Sequence, residues 1–238
     1  MGKLLKIAHR GYSARYPENT IIAFEQAIAA GADMIEFDVH LSKDGVPVVI
    51  HDDLIDRTSD GVGFVKDYTL HELREYDFSY LFKHHGPVGI PTLEEVIDCA
   101  GERVMLNIEI KNCPMQYEGI ESEILKVLRG KDCISRVVIS SFDHFSLDRI
   151  KSAEGGIRTG VLYSSLWLSF ESEIKLLRPY SIHPEIAVCH REQLKWARDK
   201  GLAVFPWVAH DRSAALELFL SGLVDGVMVN ELDILSDL

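Results

Sequence analysis

Two acidic side chains, Glu36 and Asp38, lie two positions apart within an apolar segment of β-forming residues. Side chains in a strand alternate between its two faces, so both carboxylates lie on the same face. Two carboxylates that point into a protein interior repel each other and lose solvation unless a cation or a proton lies between them. The pair therefore predicts a metal site, and the alternative is a pair of outward, solvated carboxylates. His40 shares this face but lies farther along the segment.

A second apolar segment, residues 104–110, supplies a third carboxylate. Asn107, Glu109 and Lys111 alternate with Ile108 and Ile110, so the polar side chains share one face. The alternative is an ion pair between Glu109 and Lys111 on an outward face, which is less natural in a barrel strand that is buried on both sides. Three carboxylates supply only oxygen ligands, so the sequence predicts a hard cation, Mg²⁺ or Ca²⁺, rather than zinc.

His9 and Arg10 follow the apolar run of residues 4–8 directly. The planar guanidinium of arginine suits a pair of phosphate oxygens, and histidine titrates near neutral pH, as an acid or base must. In the alternative, Arg10 pairs with an acidic loop residue and His9 lies on the surface. With one divalent ion, three carboxylates, Arg10 and Lys111, the pocket would carry a net charge of about +1, which matches a phosphodiester monoanion.

Residues 46–50 follow the segment 34–41 after a short polar turn, which is too short for a crossover between parallel strands and therefore predicts a hairpin. If Asp44 and Gly45 form a two-residue turn, His51 lies opposite Asp38. A three-residue loop would shift the register by one position and turn His51 to the other face.

Trp207 ends a later apolar run, where it either contacts substrate or packs in the rim of the site.

The elements that must position these side chains alternate between short apolar runs and amphipathic segments of helical length. This alternation predicts an α/β fold, a TIM (β/α)8 barrel, and the chain of 238 residues is long enough for one such domain, residues 1–238. Residues 53–91 are too long for an ordinary loop and are interpreted as a small insertion over the barrel mouth. The predicted strands are 4–8, 34–41, 104–110, 136–140, 159–162, 181–183, 203–207 and 226–229. The helical candidates are 20–30, 93–100, 120–128, 192–199 and 212–220.

The composition excludes several partners. A formal charge of −12 opposes nucleic-acid binding, although a local positive cluster can still hold a small anion. The longest apolar run, residues 202–209, is interrupted by Pro206 and is too short to cross a membrane, so we expect no integral membrane association. Residues 1–8 do not have the pattern of a signal peptide, and we expect a cytoplasmic location. The cysteines have no CxxC spacing and are expected to be reduced thiols.

Five motifs occur in order along the chain: His9-Arg10-Gly11, Pro17-Glu18-Asn19-Thr20, Glu36-Phe37-Asp38-Val39, Lys43-Asp44-Gly45 with His51-Asp52, and Ile108-Glu109-Ile110-Lys111. Together they resemble the glycerophosphodiester phosphodiesterase family. The resemblance implies hydrolysis of glycerophosphodiesters to glycerol 3-phosphate and an alcohol, with a small-molecule substrate. It also implies the following roles: metal ligands Glu36, Asp38 and Glu109; acid and base His9 and His51; phosphate ligands Arg10 and Lys111.

The mechanism implied by the resemblance starts with proton transfer from the glycerol 2-hydroxyl to one histidine, with His9 preferred. The oxygen then attacks phosphorus, His51 protonates the departing alcohol, and water opens the cyclic phosphate. The chain departs from the family pattern at Val208-Ala209-His210, at Asn230 and at Leu232. We expect these changes to line the mouth and to affect the glycerol pocket and the head group rather than the reaction.

Two other functions fit the sequence. One is a lysophospholipase D or a phosphatidylinositol phospholipase C-like enzyme that cleaves lipid phosphodiesters with similar histidines. The other is a phosphate-ester-binding barrel without catalytic activity, which the altered last two strands would favour. The presence of the whole set of predicted catalytic and metal-binding side chains argues against the latter.

Overall fold

The computed structural model describes residues 3–79 and 82–237. Strands and helices alternate along the chain, as the apolar pattern predicts. The strands are β1 (Leu5–His9), β2 (Met34–Leu41), β3 (Pro47–Val49), β4 (Met105–Ile110), β5 (Val137–Ser141), β6 (Arg158–Tyr163), β7 (Ser181–Pro184), β8 (Ala203–Val204) and β9 (Gly226–Val229). The helices are α1 (Ile21–Ala29), α2 (Leu70–Leu73), α3 (Leu93–Ala100), α4 (Ile120–Gly130), α5 (His144–Ala153), α6 (Phe170–Leu177), α7 (Arg191–Asp199) and α8 (Arg212–Ser221).

The parallel strands follow the order β8-β7-β6-β5-β4-β2-β1-β9, and β3 pairs antiparallel with β2. The sheet closes between its two ends, because Met228 N–H donates to the Pro206 carbonyl and Ala209 N–H donates to the Met228 carbonyl, both at 3.0 Å. Proline has no N–H to continue a ladder, so the predicted strand 203–207 is regular only over Ala203–Val204. The predicted TIM barrel is confirmed.

Inside the barrel, a layer of apolar side chains is followed by a layer of polar ones. Ile7 and Met34 are fully buried register partners in the apolar layer. Two residues farther along the same strands, His9 is opposite Glu36, and Glu36 is opposite Asn107 of β4. Because this step of two keeps the same face, the barrel interior changes from apolar to polar toward the carboxyl ends of the strands.

Helices α1 and α3 each begin at a threonine N-cap. Thr92 accepts a hydrogen bond from Glu95 N–H, and the Glu95 carboxylate accepts from Thr92 N–H, which together form a capping box at α3. The Thr20 side chain likewise caps α1. Helices α2, α5 and α6 were not among the helical candidates, although Asp143 caps α5 by accepting a hydrogen bond from Phe145 N–H.

The predicted hairpin is present, but its predicted register is wrong. The loop has three residues, with Gly45 at φ +77°, and Ser42 N–H donates to the Val46 carbonyl across it. Val39 therefore pairs with Val49, and Ile50 rather than His51 lies opposite Asp38. His51 nonetheless reaches the pocket described below, because β3 ends at Val49 and strand alternation no longer sets the direction of later side chains.

The segment after the hairpin has a small core of its own. Ile55, Val65 and Leu73 are fully buried and cluster with apolar side chains of the hairpin. A bridge between Leu54 and Phe64 closes this part of the chain on itself. The described residues of the segment predicted as an insertion, 53–79 and 82–91, thus pack against the hairpin through this core. Within the described residues, no helix is long and apolar enough to cross a membrane.

Gly160 allows close packing inside the barrel, and its replacement should destabilise the fold. A Cβ at this position would lie 2.5 Å from His183 Nε2, whose imidazole is fully buried. We expect Gly160→Ala to lower the free energy of unfolding by about 1–3 kcal/mol in urea titrations. Gly155→Ala, where a Cβ would meet nothing within 4 Å, is the matched control. Equal stability of the two variants would contradict this packing argument.

Candidate active site

Three carboxylates meet at the polar end of the barrel. Glu36 and Asp38 project from β2 and Glu109 from β4, with Asp38 and Glu109 as register partners. All three residues are buried, and one oxygen from each lies within 4.8 Å of the others. The two strands pair directly, so the two-residue alternation of each places its carboxylates at the shared carboxyl end.

The surrounding cations and amides only partly satisfy this charge. Lys111 Nζ lies 2.8 Å from Glu109 Oε1 and 3.4 Å from Asp38 Oδ1. Arg10 Nε lies 3.5 Å from Asp38 Oδ2, which also accepts a 2.9 Å hydrogen bond from Asn19 Nδ2. Asp38 Oδ1 has no hydrogen-bond partner. A buried carboxylate oxygen that has one ionic contact but no hydrogen bond, beside two other carboxylates, suits a cation.

The pKa values of the three carboxyl groups also indicate a site that suits a cation. Burial raises the pKa of Glu36 well above its ordinary value, and the charges of Asp38 and Glu109 raise it further. Burial also raises the pKa of Glu109, against the opposing effect of Lys111. Burial opposes ionisation of Asp38 too, but Lys111 and Arg10 outweigh it and lower the pKa of that carboxyl. The three residues therefore fit a divalent cation, which would favour the ionised form of all of them.

His9 is oriented by Asn230, which was expected to line the mouth of the barrel. His9 Nδ1 lies 2.7 Å from Asn230 Oδ1. An amide oxygen only accepts, so Nδ1 carries the proton and Nε2, 4.0 Å from Glu36 Oε2, keeps a free lone pair. Burial and then the charge of Arg10 lower the pKa of His9 to about 4. Asn230 thus contacts His9 inside the site and does not line only the mouth.

A chain of ion pairs orients His51 and Arg10. His51 Nδ1 lies 2.5 Å from Asp52 Oδ1, so it donates to the carboxylate and leaves Nε2 free. Arg57 donates to both Asp52 and Glu18, and Glu18 accepts from Arg10. Arg10 thus pairs with the acidic loop residue Glu18, as the alternative interpretation predicts, and its Nε also approaches Asp38.

Two of the carboxylates, Glu36 and Glu109, line one pocket together with both imidazoles and both cations. Its apolar wall includes Trp207 and Phe142, whose rings meet edge to face with centroids 5.6 Å apart. Trp207 is fixed by a 2.8 Å hydrogen bond from Nε1 to the His183 carbonyl. The predicted site residues that line the pocket are His9, Arg10, Glu36, His51, Glu109, Lys111 and Trp207. Asp38 is joined to them through Arg10 and Lys111.

Several polar residues of the site were not predicted as site residues. Asn19 and Asp52 lie in motifs next to predicted residues, so their neighbours were the available signal. Asn107 and Ser140 line the pocket with buried polar atoms that have no hydrogen-bond partner. For Arg57 the sequence contains no such signal, because its contact with Glu18 joins residues far apart in the chain, although Asp52 lies only five residues away.

A model of the glycerophosphoryl diester phosphodiesterase family matches residues 9–234. The chain belongs to this family. A glycerophosphodiester phosphodiesterase from Caldanaerobacter subterraneus subsp. tengcongensis is 39% identical over 99% of this chain and 98% of its own.

Solved structures of the family superpose closely on this one. An Oleispira antarctica phosphodiesterase, solved in complex with the product sn-glycerol-3-phosphate, has a TM-score of 0.89 at 30% identity and covers 98% of this chain and 95% of its own. A glycerophosphodiester phosphodiesterase from Thermotoga maritima has a TM-score of 0.82 at 31% identity, with 98% and 97% coverage. The chain is therefore an enzyme that hydrolyses glycerophosphodiesters. The resemblance of its five motifs to this family is confirmed.

Divalent cations should stabilise the protein through the three carboxylates. With Mg²⁺ or Ca²⁺ at 100 times its Kd, we expect about 2.7 kcal/mol of added stability, measured by thermal unfolding with and without chelator. Glu36→Gln and Glu109→Gln should lose this gain, and without the ion they should unfold no earlier than the wild type, because one repelling charge is gone. Glu75→Gln, at an exposed carboxylate, should keep the whole gain.

The same experiment has a defined pH dependence. The raised pKa values of Glu36 and Glu109 mean that the folded, metal-free protein binds their protons more tightly than the unfolded chain. These two groups should make the metal-free protein less stable as pH rises from the ordinary carboxyl pKa through the raised values. Because the cation replaces those protons, its stabilising effect should grow over the same range. A gain that is independent of pH would contradict cation binding at these carboxylates.

Proposed function

We propose that the pocket hydrolyses glycerophosphodiesters to glycerol 3-phosphate and an alcohol, with His9 and His51 as the proton-transfer pair. The observation that carries the proposal is the convergence of two imidazoles, each with a free Nε2, on one pocket that also holds Arg10 and Lys111. Acid-base catalysis of phosphodiester cleavage needs one group to remove a proton and another to supply one. A small phosphodiester monoanion suits the charge of such a pocket.

Glu36, Asp38 and Glu109 would hold the divalent cation. Their donor set is all oxygen, which suits Mg²⁺ or Ca²⁺. When bound, the cation would withdraw charge from the phosphodiester oxygens and make phosphorus more electrophilic. Lys111 lies against two of the three carboxylates, and Arg10 against one. Both would bind phosphate oxygens that approach the same position, the arginine with its planar fork.

His9 is the better candidate for the base. Asn230 fixes its Nδ1–H tautomer, and burial with the charge of Arg10 keeps the imidazole neutral near pH 7. A neutral Nε2 can take the proton from the glycerol 2-hydroxyl, whose oxygen then attacks phosphorus. The product of this step is a cyclic phosphate, which water opens in a second step with the proton transfers reversed.

His51 would then be the acid that protonates the departing alcohol. Asp52 accepts from its Nδ1 and stabilises the protonated imidazole, while Nε2 remains available to the substrate. His40 supports the backbone here, because its Nε2 lies 3.0 Å from the His51 carbonyl. Trp207 and Phe142 would pack against the carbon skeleton of the substrate.

The activity is tested directly by incubating the protein with glycerophosphocholine and Mg²⁺ or Ca²⁺. We expect release of glycerol 3-phosphate and choline, and loss of turnover on addition of a chelator, measured by chromatography. Glu109→Gln should reduce kcat/KM by at least about 100-fold, since it removes a carboxylate at the reacting centre. No product with either ion from a folded protein would contradict the proposal.

The two histidines should respond differently to the leaving group. His51→Ala should slow cleavage of the choline ester by about 10²–10⁴-fold but slow the p-nitrophenyl ester much less, because p-nitrophenolate leaves without a proton. His9→Ala should slow both esters alike, since both need the 2-hydroxyl deprotonated. His71→Ala, at an exposed histidine of α2, is the control and should match the wild type. A reversed pattern would exchange the two roles.

A further inference from the structure

Arg57 lies outside the barrel, in the segment that follows the hairpin. It is held in a tight turn, because Ser59 N–H and Oγ both donate to the Ile55 carbonyl. The bridge between Leu54 and Phe64 closes the chain around this turn. The backbone that carries Arg57 is therefore fixed by short-range contacts and by the small core beneath it, although its side chain is 42% exposed.

The guanidinium of Arg57 joins two carboxylates. Nε donates to Asp52 Oδ2 at 2.5 Å, while Nη1 and Nη2 donate to the two oxygens of Glu18 at 2.9 and 2.8 Å. This arrangement uses the planar fork of arginine for one carboxylate and its remaining edge for the other. A lysine ammonium has no fixed planar array of donors and could not reproduce this geometry.

Each of these carboxylates in turn holds a residue of the proposed machinery. Asp52 accepts from His51 Nδ1 through its other oxygen. Glu18 Oε1 accepts from Arg10 Nη1 at 3.0 Å. The charges alternate along this connected set, and Arg57 is the cation at its centre. The hydrogen bond from His51, and after it that from Arg57, lowers the pKa of Asp52. Burial opposes ionisation of Glu18, but Arg57 and Arg10 outweigh it and lower the pKa of that carboxyl.

We propose that Arg57 is a positioning residue that holds His51 and Arg10 in their working orientations through Asp52 and Glu18. The inference rests on the proposed roles of those two residues and adds a function for the insertion. Exposed ion pairs contribute little to stability, typically below about 1 kcal/mol, so the effect of Arg57 should fall mainly on the site rather than on the fold. Without Arg57, no cation would join Asp52 to Glu18. Asp52 would then no longer be fixed as the acceptor that selects the tautomer of His51.

The first test measures catalysis by Arg57→Gln and Arg57→Lys on both esters. For the choline ester, kcat should fall by about 10–100-fold in each variant, as expected for loss of a supporting hydrogen-bond partner. The fall should be smaller with the p-nitrophenyl ester, because that leaving group does not need His51. In an Asp52→Asn background, Arg57→Gln should cause only the smaller further loss that acts through Glu18 and Arg10, and this loss should be equal for both esters. Guanidinium ion added to Arg57→Ala should restore part of the choline-ester activity.

The second test does not depend on turnover. Nitrogen-15 NMR of the imidazoles, with His51→Ala to assign the signals, reports the His51 tautomer directly. We expect the Nδ1–H form in the wild type and a mixture of tautomers in Arg57→Gln. If the wild type cleaves neither ester, the proposed reaction fails, and this measurement still decides whether Arg57 orients the imidazole.

Arg74→Gln is the matched control. Arg74 lies in the same segment, is 44% exposed and pairs with Glu95, away from the pocket. It should leave kcat, the ester preference and the His51 tautomer unchanged. The proposal would be overturned by full choline-ester activity in Arg57→Lys, by an unchanged tautomer in Arg57→Gln, or by an equal loss on both esters that tracks a lowered Tm without guanidinium rescue.

Discussion

Mutual repulsion among three buried carboxylates is the constraint that organises this protein. Glu36, Asp38 and Glu109 lie where water cannot screen them, and their charges raise the pKa of Glu36 together with burial. Lys111 and Arg10 offset part of this repulsion, mainly at Asp38. The repulsion that remains favours binding of a metal cation. Lys111 and Arg10, which lie against the carboxylates, are also well placed for a phosphate. In the proposed function, the side chains that offset the cost of burying these acids would also bind the substrate anion.

The barrel supplies the positions that make such a cluster tolerable. Below the acids, Ile7 and Met34 fill the interior, so the polar layer begins only toward the carboxyl ends of the strands. Parallel pairing of β2 with β4 sets Asp38 opposite Glu109 without any contribution from loops. Groups on paired strands are rigid, and metal ligands need this rigidity. By contrast, Arg10, Lys111 and His51 lie just beyond strand ends, and His9 is the last residue of β1.

The hairpin and the segment after it bring the second imidazole to the site from outside the barrel. His51 follows β3 by two residues, and its direction depends on Asp52 and on the His40 contact to its carbonyl. Arg57 connects this group to Glu18 and so to the first strand's end. Under the role proposed for Arg57, this segment would support the pocket from outside the barrel. Its own apolar core allows the support to be built from residues that are close in sequence.

The amino-acid sequence alone determined the barrel, the hairpin and the set of site residues that gather at the pocket, because strand alternation and strand ends are local properties. It did not determine the loop length at Gly45, and the predicted opposition of His51 and Asp38 failed for that reason. The contacts of Asn230 with His9 and of Arg57 with Glu18 join residues far apart in the chain. Such contacts depend on barrel closure and on the packing of the insertion, which no local pattern encodes, so only the tertiary structure decided how the predicted residues are oriented.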